Sequence, residues 1–112
     1  MAHLDFARGL NQPGCRVALD LLQRENWWML LSNGDRSSAG EFPWDDAVAF
    51  GKAMYEAAPD RCVWGTDWPH LAYEKRMPND ADLVELLYRY LPDADARKQV
   101  LVDNPARLYG FR

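Results

Sequence analysis

Cysteine is scarce in this sequence. Cys15 and Cys62 are the two thiols among 112 residues, and their separation fits no metal or redox spacing. The simplest expectation is two buried, reduced thiols in a cytoplasmic protein. Histidine is equally sparse. His3 and His70 form no His-x-His or His-x-x-x-His pair, so a three-ligand zinc centre would need carboxylates as well. No apolar run approaches the roughly 18 residues of a membrane span, and the N-terminus lacks the basic and apolar regions of a secretory leader. Thirteen Lys and Arg stand against seventeen Asp and Glu, a net charge of −4. The basic residues do not cluster, which argues against nucleic acid as a partner. A Gly-x-Ser-x-Gly elbow and a glycine-rich phosphate loop are both absent, as are internal repeats.

Large apolar side chains are plentiful. Nearly half the residues are hydrophobic, with five Trp, five Tyr and four Phe, enough for the core of one globular domain over residues 1–112. In chain order, Cys15, Ala18, Leu19 and Leu22 recur at helical spacing and predict a helix from about Pro13 to Arg24. Trp27–Ser32 is a continuous apolar run, as in a strand buried on both faces. A polar, glycine-punctuated loop is expected over 33–40. Asp45 or Asp46 then caps a helix with Ala47, Phe50, Met54 and Ala57 or Ala58 inward. Cys62, Val63 and Trp64 form a second apolar strand, followed by a long loop to Asn79. Asn79 or Asp80 caps a helix facing inward with Leu83, Leu86, Leu87 and Tyr90. A shorter helix from Pro92-Asp93 buries Ala96, Val100 and Leu101 and ends before Asn104-Pro105. One closing turn, 105–109, stops at Gly110.

Strands alternating with helices imply βα units of a parallel sheet. Two parallel strands with both edges open make a poor stand-alone fold, so further sheet is expected to cover them. The chemistry is expected just after the second strand, where Gly65 gives way to Thr66, Asp67, Trp68, Pro69 and His70. A carboxylate there is held rigidly at the end of the strands where parallel α/β sheets keep their sites. Asp67 is thus the first candidate, against the plainer role of bonding neighbouring backbone N–H groups in a turn.

The segments 28–32 with Arg36, Ala58–His70 with its WGTDWPH string, Met77–Asp80, and Asp103–Phe111 with its NPARLY string resemble, in that order, the C-terminal part of the amidohydrolase-related (amidohydrolase 2) family. The likeness is to 2-pyrone-4,6-dicarboxylate lactonases and related lactone hydrolases. The resemblance implies a (β/α)₈ TIM barrel of which these residues are a C-terminal fragment, with Trp27–Ser32 as the seventh strand and Cys62–Thr66 as the eighth. It further implies that Asp67 is the base that activates water, and that Arg36 pairs with a substrate carboxylate through two parallel hydrogen bonds.

Arg36 could instead be a loop arginine bridging Asp35 or Asp46. His70 is a candidate substrate contact, with bracing of its loop as the plainer role. Trp44 and Trp68 are expected to fill core rather than wall a pocket, and Lys75-Arg76 is expected to be a solvated loop tip. The family's first-strand His-x-His pair has no counterpart here. A further histidine, in an Asp-His-Met pattern, would fall just before Met1, and His3 is out of register for it.

The expectation is therefore a chain that holds no cofactor and is inactive alone. A divalent metal such as zinc, beside Asp67, belongs only to the complete barrel. The expected partners are a small carboxylated lactone for the complete enzyme, and either a second copy or a complementing barrel fragment for this chain. The alternative is a small self-associating interaction module without catalysis.

Overall fold

The computed structural model describes residues 4–111; Met1 and His3, to which the expectations about a neighbouring histidine attach, lie outside them. The first regular helix, α1 (Pro13–Leu22), opens on a proline whose ring pre-sets the helical φ. It buries Cys15, Ala18 and Leu22. It stops two residues short of Arg24, and the reason lies across the fold. The Arg61 guanidinium donates to the carbonyls of Leu22 (2.7 Å), Arg24 and Trp27 (2.9 Å), taking up orphan acceptors at the helix end.

The two predicted strands pair in parallel, β1 (Met29–Leu30) with β2 (Cys62–Val63), in the register Met29 to Cys62 and Leu30 to Val63. Both are shorter than their apolar runs. A ladder extends only where a neighbouring backbone stands opposite, and this sheet has two strands among the described residues.

Between them the expected loop contains one helical turn, α2 (Gly34–Ser37), entered through Asn33 in the left-handed region at φ 61°. Then comes α3 (Ala47–Ala57), which buries Ala47, Phe50, Gly51 and Met54. The expected aspartate cap on α3 does not form. Asp46 instead accepts from the Ser38 hydroxyl and the Ala39 N–H (2.7 Å), and Asp45 pairs with Arg89 (2.7 Å). Helix α3 packs against α1 and α4, and Phe6 stacks on Phe50 with centroids 4.1 Å apart.

The helix α4 (Asp80–Tyr90) follows the long loop. The Asn79 side chain accepts from the Ala81 N–H at 2.9 Å, and Leu83, Leu86, Leu87 and Tyr90 face inward as predicted. Asp93 caps α5 (Ala94–Lys98). Here the chain departs from expectation, because the helix does not end before Pro105. A π-helical turn over Gln99–Asp103 leads directly into α6 (Asn104–Tyr109). Proline has no N–H and its ring crowds the carbonyl one turn back, and a widened turn accommodates both. The widening also turns Leu101, expected inward, to 45% exposure. It brings Asn104 into the core, where its Nδ2 donates to the carbonyls of Pro59 and Cys62, each at 2.8 Å. Gly110, at φ 75°, ends α6. Among the described residues no helix is long and apolar enough to cross a membrane.

Candidate functional site

Arg36 lies on α2 just beyond β1, and Asp67 lies just beyond β2. The parallel pairing therefore puts both at the same end of the sheet. Arg36 Nη2 stands 3.3 Å from Asp67 Oδ2, with the side chains 29% and 43% exposed. The guanidinium's ion-pair partner is thus neither of the predicted alternatives, Asp35 or Asp46, but the candidate base, Asp67, itself. At this exposure such a pair contributes about 0–1 kcal/mol. It holds geometry more than it holds the fold, and it is cheap to open.

Asp67 is in the left-handed region at φ 65°, a conformation aspartate tolerates better than most residues. Its carbonyl accepts the His70 N–H at 2.8 Å, while Thr66 Oγ1 accepts the Trp68 N–H at 3.3 Å. The backbone bonds of this turn are met by other atoms, which leaves the Asp67 carboxylate to Arg36. His70 is 5% exposed, and its Nε2 lies 2.9 Å from Asp80 Oδ1 at the start of α4. The structure puts His70 in the bracing arrangement, tying the loop after β2 to a helix.

The other loop residues sort differently from expectation. Trp44 is buried as predicted, but Trp68 is 74% exposed. Lys75 is no solvated tip. Its ammonium donates to the carbonyls of Asp35 (3.0 Å) and Ser38, where α2 ends.

Two residues that sequence reasoning missed complete the site. Asp35 is buried and accepts from the Tyr73 hydroxyl at 2.6 Å. The Arg36 guanidinium lies over the Tyr73 ring, 4.8 Å from its centroid, and Arg36 Nη2 also donates to the Leu71 carbonyl at 2.8 Å. Burial, reinforced by the Asp35 bond, pushes the Tyr73 phenol above its ordinary pKa. A cleft of about 180 Å³ opens here, lined by Arg36, Ala72, Tyr73, Glu74 and Lys75. No local signal links positions 35 and 73; the chain meets itself there only after folding.

Among the described residues no three His, Cys, Asp or Glu side chains converge as they would around a metal ion, and the carboxylate at the site already faces a guanidinium. These residues do not by themselves make a metal centre.

A family model described as amidohydrolase matches residues 1–111. A 4-sulfomuconolactone hydrolase from Rhizobium radiobacter is 46% identical over 109 residues, which are 96% of this chain and 36% of that protein. A D-galactarolactone isomerase from Agrobacterium fabrum is 38% identical over 111 residues, 96% of this chain and 38% of its own. A Pseudomonas putida protein solved as a candidate 2-pyrone-4,6-dicarboxylic acid hydrolase superposes with a TM-score of 0.80 at 30% identity. It covers 98% of this chain and 41% of the solved one. The chain thus spans well under half the length of these relatives.

Proposed function

This chain belongs to the amidohydrolase family, and from that premise we propose that its residues serve lactone hydrolysis in a complete (β/α)₈ barrel, with Asp67 as the base and Arg36 as the carboxylate anchor. On this reading β1 and β2 lie in the seventh and eighth strands, and sequence beyond these residues supplies the rest of the barrel. The observation that carries the proposal is the convergence of Arg36 and Asp67 at one end of a parallel strand pair, the end where such barrels keep their chemistry. The names of the relatives, which include lactone hydrolases, support the substrate class. The two unpaired, buried thiols agree with a cytoplasmic setting.

A carboxylate on the substrate competes with Asp67 for the Arg36 guanidinium. Because the resting ion pair is worth at most about 1 kcal/mol, the exchange is inexpensive. Asp67 is then free to take a proton from water as the oxygen attacks the lactone carbonyl. The ring C–O bond breaks, and the proton goes to the departing ring oxygen, leaving an open-chain hydroxy acid. Any metal would have to draw its other ligands from outside these residues, and no step is assigned to one.

The test is Asp67→Asn in the full-length protein with 2-pyrone-4,6-dicarboxylate as substrate. Loss of a general base lowers kcat by about 10²–10⁴-fold. A kcat within twofold of the parent would refute the assignment. Incorporation of ¹⁸O from labelled water into product separates hydrolysis from isomerisation, the activity for which one relative is named.

A second reading, self-association without catalysis, draws on the half-exposed Leu30 of β1 and the exposed Trp27 beside it.

A further inference from the structure

We propose that Tyr73 is the positioning residue for Arg36, fixing the plane of the guanidinium so that it pairs with Asp67 at rest and with the substrate carboxylate that displaces it. This rests on the functional reading above and adds to it a determinant of specificity for carboxylated lactones.

The argument begins with what an arginine needs in order to act as an anchor. A guanidinium presents its donors in one plane, so recognition of a carboxylate depends on that plane being held. Arg36 is on a helix of a single turn, Gly34–Ser37, too short to immobilise a long side chain. Three contacts from the loop after β2 do so instead. The Leu71 carbonyl takes one Nη2 hydrogen bond at 2.8 Å, Asp67 sits at 3.3 Å from the same nitrogen, and the guanidinium carbon lies over the Tyr73 ring, 4.8 Å from its centroid. The first two fix a single nitrogen and leave the plane free to rotate about it. The ring removes that freedom, because a cation over a π face is held along the ring normal.

The ring itself is fixed at its far end. Its hydroxyl donates to Asp35 Oδ2 at 2.6 Å, and Asp35 is the residue immediately before Arg36. Lys75 donates to the Asp35 and Ser38 carbonyls and straps the same loop to both ends of the turn. Tyr73 therefore closes a small ring of contacts, running from Asp35 through the phenol and the guanidinium back to Arg36. The cleft of about 180 Å³ beside it is lined by Tyr73 and Arg36 together.

The experiment compares Tyr73→Leu, Tyr73→Phe and Arg36→Met in the full-length protein. The substrates are 2-pyrone-4,6-dicarboxylate and its dimethyl ester. Tyr73→Leu is expected to raise KM for the dicarboxylate by about tenfold, with kcat held within about twofold, since misplacing a binding group acts on uniform binding. The ester, which has no carboxylate to anchor, is unaffected. Tyr73→Phe, which keeps the ring, stays within about threefold of the parent KM. Arg36→Met raises KM for the dicarboxylate at least as far. If Arg36→Met raises KM and Tyr73→Leu does not, the positioning role is overturned and the functional reading stands. Equal losses on acid and ester in Tyr73→Leu also overturn it, because they would report damage to the loop as a whole. If Arg36→Met itself leaves KM unchanged, the anchor reading fails and the positioning role fails with it.

Discussion

Asn104 shows how much one buried amide can hold. It satisfies two backbone carbonyls, one on each side of the entry into β2, with no exposure to spare. Asn104→Ala removes the donor from the buried Cys62 carbonyl and from the half-buried Pro59 carbonyl, and an unsatisfied buried group costs about 1–3 kcal/mol. The urea midpoint should fall accordingly with the slope unchanged.

Cys62 lies beside it and makes a different prediction. Burial pushes its thiol up from 9.0 to about 12, with Arg61 pulling the other way. A group whose native pKa is raised keeps its proton longer when folded than when unfolded. Its contribution is complete below pH 9 and is lost as pH rises from 9 towards 12. Unfolding curves across that window should show declining stability, and the decline should be shallower in Cys62→Ala. At pH 8 the native thiol should be inert to iodoacetamide, which needs the thiolate.

At the scale of the element, α3 sets two rules against each other at Gly51. Helix propensity favours alanine there by about 1 kcal/mol. Packing opposes it, since a Cβ at Gly51 would fall 2.7 Å from Tyr90 Cε1 and nearer still to other ring atoms. Tyr90 is itself buried and cannot withdraw. Overpacking of this kind costs about 1–3 kcal/mol, so Gly51→Ala is expected to destabilise. A rise in Tm for that variant would mean that α3 and α4 separate more easily than their contact suggests.

The last helices teach a related lesson. The sequence reads Asn104-Pro105 as a break, because proline usually ends a helix at the preceding residue. The folded chain meets the same constraint with one widened turn, and thereby delivers Asn104 to the core.

For the molecule as a whole, the open question is what covers the sheet. Leu30 is half exposed although it sits in a strand, and Trp27, Leu101, Val102 and Phe111 are also exposed. A two-stranded parallel sheet with apolar residues in water is a surface that recruits cover. Residues 1–112 expressed alone should therefore sediment as oligomers or aggregates and show no lactonase activity. A monodisperse monomer with a sharp thermal transition would contradict this.

Much of this was legible in the order of the residues, because it depends on local pattern. The spacing of Leu83, Leu86, Leu87 and Tyr90, the Asn79 and Asp93 caps, the Gly110 stop and the two apolar runs each carry their signal within a few positions. Asp67 and Arg36 could be named for the same reason, each following an apolar strand run within an extended string of family-like residues. That Arg36 faces Asp67, that Tyr73 lies under Arg36 and closes on Asp35, that Lys75 is drawn in to cap α2, and that Arg61 ends α1 early could not be read there. Each of these joins positions about 30 to 40 apart through side chains that carry charge or a hydroxyl. Such contacts leave no periodicity in a sequence; they arise because the β1–β2 pairing brings the two following loops together at one end of the sheet and the two preceding segments, with Arg61 and the end of α1, together at the other.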